Sequence, residues 1–187
     1  MLSHRSSLLV DLKHLSLKTA LLLALTSGKR VGDLIALSVQ QSCMEFSEDG
    51  RKVTLRPNPA YQPKTIGAGF RAMTIQLVMF DPTASSPGEA RRLSSLCPLR
   101  ALSAYVARTA PLRKCTQLLI CHGVRAFGTA LSKQRLSHWI VDAITMAYSA
   151  AGKPPPTGIK AHSTRGVASS RALLSGVSVG DMCAAAS

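Results

Sequence analysis

The chain has 187 residues, 46% of them hydrophobic, which predicts one folded domain over residues 1–187 rather than a disordered polymer. Lys and Arg total 23 against 9 acidic residues, so the formal net charge is +14 and a polyanionic partner, nucleic acid first, is favoured. The longest wholly apolar run, Ala20 to Leu25, is far shorter than the roughly 20 residues of a membrane-spanning helix. The basic residues are scattered rather than gathered as at a membrane surface.

The N-terminal part of the chain predicts two helices joined by a short turn. Leu15 to Ser27 is rich in Leu and Ala and contains neither Pro nor Gly, which indicates a buried helix that ends at Gly28. Val31 to Leu37 resumes a helical spacing of apolar residues. Arg30 therefore lies at the junction between the two predicted helices.

The next part predicts a small antiparallel sheet. Met44 and Phe46 alternate with polar residues, a turn follows at residues 48–50, and Lys52 to Arg56 alternates again, which is typical of a β-hairpin. A third strand is predicted at Ala72 to Val78.

Two loops flank the third predicted strand. Pro57 to Lys64 contains three prolines, which forbid regular strand pairing and predict a stiff loop that displays Lys64. Asp81 to Gly88 is rich in Pro and Ser and predicts a second loop.

The C-terminal half predicts mainly helices. Leu99 to Thr109 and Lys133 to Ala151 have helical periodicity, whereas Gln117 to Cys121 is either a short strand or a buried segment. A further helix opens at the His-Ser-Thr-Arg motif and runs to about Leu174, and a last one is predicted from Val179 to Ala186.

Cysteine and most histidine positions give no sign of a metal site. The five cysteines include no Cys-x-x-Cys pair, so we expect buried reduced thiols; they are Cys43, Cys97, Cys115, Cys121 and Cys183. His138, beside Trp139, is predicted to cap or pack a helix. His4, His14 and His122 are predicted to be structural or solvated.

Two short motifs carry candidate chemistry. His162 and Arg165 stand three residues apart, so in a helix both side chains project from one face and can hold one anionic group. Arg30 is followed three residues later by Asp33, whose carboxylate is within reach of its guanidinium across one helical turn.

The order of these motifs resembles the catalytic domain of tyrosine recombinases, the phage-integrase family. A Gly-x-Arg-x-x-acidic-Leu box follows a helix rich in Leu and Ala, a β-rich segment with a lysine comes next, and His-x-x-Arg stands near the C-terminus. The amino-acid sequence around these motifs is similar to that of the branch encoded by DIRS-type retroelements of animal genomes, and the resemblance extends over about Leu15 to Ser187. The matching stretches are Ala24 to Leu34, Leu131 to Ile140 and Lys160 to Ser170.

The resemblance implies a mainly helical α+β domain with a small antiparallel sheet, in a nuclear protein that acts in DNA integration and recombination. Arg30 and Arg165 match the two arginines that hold the scissile phosphate, and His162 matches the histidine ligand beside them. Asp33 matches the acidic residue that steadies the first arginine. Lys64 is the candidate for the lysine that protonates the departing 5′ oxygen, with Lys52 as a rival.

The same resemblance implies chemistry without a metal or other cofactor and without a small-molecule substrate. Fixed guanidinium groups stabilise the charge on a five-coordinate phosphorus while a tyrosine attacks it. The implied partners are double-stranded DNA and further copies of the chain assembled on it.

The sequence departs from the family at the nucleophile. The family's tyrosine follows the second arginine, yet Tyr61, Tyr105 and Tyr148 all precede Arg165, and Tyr148 is interpreted as a packing residue. We therefore expect a DNA strand transferase domain truncated before its nucleophile, without the family's N-terminal core-binding domain and inactive alone. The alternative is a non-catalytic DNA-binding remnant or adaptor, and a third reading is a basic protein whose motifs are coincidental.

Overall fold

The computed structural model describes residues 2–62, 73–81, 83 and 86–181, with side chains from residue 12 onward. Helices and one small antiparallel sheet make it an α+β structure. The helices predicted up to Leu174 are confirmed, except that the first begins at Leu2 rather than at the predicted Leu15. Two 3-10 turns lie at Ala110–Leu112 and Val124–Ala126. The other elements are α1 (Leu2–Ser27), α2 (Val31–Ala36), β1 (Met44–Phe46), β2 (Lys52–Leu55), β3 (Ile75–Val78), α3 (Pro87–Ser94), α4 (Pro98–Thr109), α5 (Lys133–Ala150) and α6 (Ser163–Leu174).

Helix α1 is the central element of the core and contacts α4, α5 and α6. Leu17, Ala20, Leu23 and Ala24 are buried and recur at helical spacing, so they form one apolar face. Burial of each leucine side chain stabilises the folded state by about 1.5–3 kcal/mol, so this apolar face holds the C-terminal half of α1 in the core. In the described part of the chain, no helix is long and apolar enough to cross a membrane.

The predicted hairpin is confirmed and extends into a three-stranded sheet in the order β1-β2-β3. Val53 and Leu55 of β2 stand opposite Leu77 and Ile75 of β3, and all four side chains are buried on one face. Alternation of buried and exposed residues therefore sets the register, as expected for a sheet with one solvated face. The third strand begins at Ile75; the predicted start at Ala72 lies outside the described residues.

The stretch Gln117 to Cys121 is a buried segment beside α4 rather than a strand. Its residues from Leu118 onward are buried, and it makes isolated bridges with its neighbours. The Tyr105 hydroxyl of α4 accepts a hydrogen bond from the backbone N–H of Ile120 at 2.9 Å. The guanidinium of Arg113 lies over the Tyr105 ring, 5.7 Å from its centre, and makes a cation–π contact with it.

Helix α3 begins inside the second predicted loop, so the predicted loop boundary at Gly88 is wrong. Ser86 caps the helix by accepting a hydrogen bond from the backbone N–H of Glu89 at 3.2 Å, and Pro87 occupies the first helical turn. These start signals outweigh the poor helix propensity of Gly88.

The helix predicted from Val179 to Ala186 is described only as far as Asp181. Residues Val179 to Asp181 are helical, and the Ser178 hydroxyl accepts a hydrogen bond from the backbone N–H of Asp181 at 3.0 Å. The start of this helix is as predicted, and the remainder lies outside the described residues.

Candidate functional site

A cleft of about 490 Å³ opens between α2, α5 and the segment that precedes α6. The Gln117 amide holds two of its walls: Nε2 donates to the Ile35 carbonyl of α2 at 3.0 Å, and Oε1 accepts from the Leu131 backbone N–H at 2.8 Å. Because Leu131 directly precedes the cap of α5, one side chain links α2 to α5. The lining residues are Arg30, Val31, Gly32, Lys133, Ser137, His138, Val141, Ile159, Lys160, Ala161 and His162.

This cationic cleft carries several positive groups and, within the described residues that line it, no carboxylate. Arg30, Lys133 and Lys160 supply three fixed cations, and His138 and His162 add two imidazoles with N–H donors. Like charges gathered without a counter-charge attract an anion, and the walls of a cleft focus that attraction.

Lys133 reaches the cleft because residue 32 has no side chain. A Cβ built on Gly32 would lie 3.2 Å from Nζ and 3.4 Å from Cε of Lys133. The lysine therefore passes directly over the backbone of the first turn of α2. A larger residue at this position would displace the ammonium group.

The turn that carries Arg30 packs against α6. Gly28 has a φ of +60°, the left-handed region that glycine adopts without strain. Its α-carbon faces Ala168 of α6, whose Cβ would be 3.6 Å from an added Cβ. Arg30 then adopts an extended conformation as the residue before α2, and its side chain is exposed at the cleft.

Asp33 supports Arg30 in a different way from the predicted one. Its Oδ2 accepts a hydrogen bond from the backbone N–H of Arg30 at 3.0 Å, and its Oδ1 accepts one from the Tyr61 hydroxyl at 2.9 Å. Among the described residues no ion pair joins the Arg30 guanidinium to Asp33; the ion pairs elsewhere include Arg51–Asp81, Arg56–Glu45 and Arg100–Asp81. The Asp33 carboxylate thus holds the backbone of Arg30, and the Arg30 side chain lines the cleft.

Lys29 is a buried cation behind this turn, with 9% of its surface exposed. Burial lowers the pKa of its ammonium group, the nearby Asp33 carboxylate opposes that shift, and the positive charge of Arg165 adds to it. Lys29 therefore lies within electrostatic range of both Asp33 and Arg165. The sequence motif alone gave no reason to single it out.

The His-Ser-Thr-Arg motif opens α6, as predicted. Ala161 and Thr164 are buried, and the Thr164 hydroxyl donates to the Ala161 carbonyl at 2.8 Å. The two residues between them, His162 and Ser163, are exposed. His162 is the residue before the helix and lines the cationic cleft with Arg30. Arg165 is half-buried on the Lys29 side of the turn and is not among the lining residues.

Only one of the two candidate lysines lies in the described part of the chain. Lys64 lies outside the described residues. Lys52 begins β2 at the hairpin, where its backbone N–H donates to the Ser47 hydroxyl at 2.9 Å, and it does not line the cleft. The opposite end of β2 is the one that leads into the loop beside α2, through a bridge between Leu37 and Pro57.

None of the three tyrosines is presented as a free nucleophile. Burial raises the pKa of Tyr61 to about 12, and the hydrogen bond to Asp33 and its negative charge act in the same direction. Tyr105 has no exposed surface, and burial raises the pKa of its hydroxyl as well. Tyr148 is 37% exposed on α5 and does not line the cleft.

Several lining residues escaped the sequence interpretation. His138 is exposed in the cleft, so its predicted role as a cap or packing group is wrong; Ser132 caps α5 instead. Lys133, Ser137 and Val141 recur at a spacing of four residues with His138 beside them, and this helical face was the available signal. Lys160, directly before the motif, completes the set.

The remaining features offer no competing chemistry. A second cleft of about 590 Å³ has no charged side chain in its lining; the lining residues are Thr26, Gln76, Leu77, Val78, Met79, Phe80, Leu96 and Pro98. Cys43, Cys97, Cys115 and Cys121 are free thiols, the first two and the last buried, and Cys183 lies outside the described residues. No group of three metal-ligating side chains occurs in the part of the chain that the structure describes.

In comparisons with known proteins, no family model and no curated protein matches this chain. A function is therefore inferred from the residues of the cationic cleft and their motifs.

Proposed function

We propose that this chain is a tyrosine-recombinase-type domain that binds double-stranded DNA by gripping a backbone phosphate in the cationic cleft. The observation that carries the proposal is the meeting of Arg30 and His162, from motifs far apart in the sequence, with Lys133, His138 and Lys160 in a lining without a carboxylate. Its ancestral task is DNA integration and recombination for a mobile element, in the nucleus and as an assembly of several copies on DNA.

The physical chemistry of the grip suits a phosphodiester. A guanidinium is planar, always charged and able to donate two parallel hydrogen bonds to phosphate oxygens. Arg30 and His162 provide donors from two sides of the cleft, and Arg165 supplies further positive charge behind the turn. Each phosphate neutralised releases counterions, so affinity falls steeply with salt.

We expect binding without cleavage by this chain alone. A recombinase nucleophile must approach the held phosphate as a phenolate or with a base that accepts its proton. The Tyr61 hydroxyl is held by Asp33 with its pKa raised to about 12, Tyr105 is buried, and Tyr148 lies outside the cleft. These tyrosines favour the non-catalytic adaptor over an autonomous strand transferase.

The binding proposal is tested by replacing two cations of the cleft together. In R30A/K133A, the slope of log affinity against log salt for a labelled duplex falls by about 1.8, and affinity at 0.1 M salt falls on the order of 50-fold, because two phosphate contacts are lost. The matched control is R91A/R92A, which removes the same charge from exposed positions of α3. Equal losses in both variants would reduce the binding to general electrostatic attraction.

Cleavage is tested separately with a nicked duplex that traps a covalent intermediate. We expect no SDS-resistant adduct between the wild-type chain and the DNA. Formation of such an adduct would show that the chain is an autonomous strand transferase and would exclude the non-catalytic adaptor.

A further inference from the structure

We infer that Tyr61 is a positioning residue of the proposed phosphate site: its hydroxyl holds the Asp33 carboxylate on the backbone of Arg30 and so keeps the Arg30 guanidinium available to DNA. The inference rests on the proposed function, because availability matters only if Arg30 contacts phosphate. Tyr61 lies in the loop that follows β2 and belongs to none of the sequence motifs.

The carboxylate of Asp33 is divided between two donors. Oδ2 accepts from the Arg30 backbone N–H at 3.0 Å and Oδ1 from the Tyr61 hydroxyl at 2.9 Å. Both carboxylate oxygens are therefore engaged by donors other than the Arg30 guanidinium. These two hydrogen bonds explain why Asp33 can adjoin the cleft without pairing with the Arg30 guanidinium.

Removal of the phenol hydroxyl frees one carboxylate oxygen. The exposed Arg30 guanidinium lies three residues earlier, a separation from which it can reach this oxygen. A charge-assisted hydrogen bond of that kind is about twice as strong as a neutral one, so it competes with DNA for the same guanidinium. The loss of Tyr61 would then remove one effective cation from the cleft.

The loop that carries Tyr61 is attached to both ends of α2. The Asn58 backbone N–H donates to the Ala36 carbonyl at 2.7 Å, and the Tyr61 backbone N–H donates to the Asn58 carbonyl at 2.8 Å. The Asn58 side chain also accepts from the Ala60 backbone N–H at 2.9 Å. The phenol is therefore placed by a braced loop, as a positioning residue requires.

The experiment counts ionic contacts in Y61F, with Y148F as the matched control on the exposed face of α5. In Y61F the salt slope for duplex binding falls by about 0.9 and affinity at 0.1 M salt falls about eightfold, the share of one phosphate contact. In an R30A background the same change has no further effect. In a D33N background it also has no effect, because a neutral amide cannot neutralise Arg30.

The possible outcomes separate the two proposals. If R30A lowers the slope and Y61F does not, the positioning role fails while DNA binding through Arg30 stands. If R30A changes neither the salt slope nor the affinity for duplex DNA, the proposed function fails, and this inference fails too because it rests on that function. A Y61F loss that persists in D33N indicates only a structural role, and a covalent DNA adduct abolished by Y61F makes Tyr61 a nucleophile; either result overturns the inference.

Discussion

His122 shows what a single titratable residue does in this fold. Its ring stacks on Trp139, with centroids 4.6 Å apart and an angle of 13° between the planes. The Nε2 atom is buried and has no hydrogen-bond partner among the described residues. Burial lowers the pKa of His122, and the positive charges of Lys13 and Arg135 lower it further. The folded protein thus holds the imidazole in its neutral form.

The sign of the resulting pH dependence follows from linkage. In the unfolded chain a histidine takes up a proton below about pH 6.5, whereas the folded state resists that proton, so stability is lost as the pH falls below 6.5. We expect the free energy of unfolding in urea to decrease from pH 7.5 to 5.5. Trp139, the only tryptophan, reports the transition by fluorescence.

The matched variants for this test are H122F and H14Q. H122F keeps an aromatic ring against Trp139 but cannot be protonated, so the decrease between the two pH values should shrink. H14Q replaces an exposed histidine of α1 and should behave as the wild type does. An undiminished decrease in H122F would assign the effect to other groups.

Single residues of the candidate site were predictable where a local motif carried them. Arg30 and His162 were indicated by two separate local motifs, and both line one cleft, whereas Asp33 and Arg165 of the same motifs do not line it. Lys29 and Tyr61 were not predictable, because their roles depend on Asp33 contacts made by burial and by a loop distant in sequence.

Two helix caps of the same chemistry differ in what lies behind them. Ser132 accepts a hydrogen bond from the Arg135 backbone N–H at 3.2 Å, and Ser86 accepts one from the Glu89 backbone N–H at the same distance of 3.2 Å. Helix α5 buries Leu136, Trp139, Ile140 and Ala143, whereas α3 buries no side chain. The same cap therefore supports a core helix in one case and a surface helix in the other.

We expect S132A to lower the free energy of global unfolding by about 1 kcal/mol, the usual value of an N-cap. S86A should leave global unfolding unchanged, because α3 can open locally without exposing the core. Chemical denaturation measures the first effect, and amide hydrogen exchange in α3 measures the second. Equal global losses in both variants would contradict the difference in packing.

Elements were predictable where periodicity and start signals agreed. The helices α1, α2, α4, α5 and α6 and the β-hairpin follow from apolar spacing, because the same residues that make the pattern form the core. Helix α3 lacks that pattern, since it buries nothing, and only its Ser-Pro-x-Glu start announces it. The association of α2 with α5 across Gln117 has no local signal at all.

For the whole molecule, a net charge of +14 makes stability depend on the anions around it. A ligand that binds only the folded state at 100 times its Kd stabilises it by about 2.7 kcal/mol. For a chain of 187 residues we expect duplex DNA to raise the Tm by roughly 5–10 °C at low salt, and by much less at high salt.

Thermal unfolding followed by Trp139 fluorescence measures this shift. R30A/K133A should lose most of it, whereas R91A/R92A should retain it. A shift of equal size in all three proteins would mean that DNA stabilises the fold without using the cationic cleft.

The contact between Tyr61 and Asp33 spans 28 residues, and the packing of α1 on α6 joins nearly opposite ends of the described chain. Contacts so distant in sequence require long loops to close, which costs chain entropy and slows folding. A nascent chain therefore attracts polyanions as soon as its basic residues emerge. The cationic cleft is complete only when the segment before α6 docks beside α2 and α5.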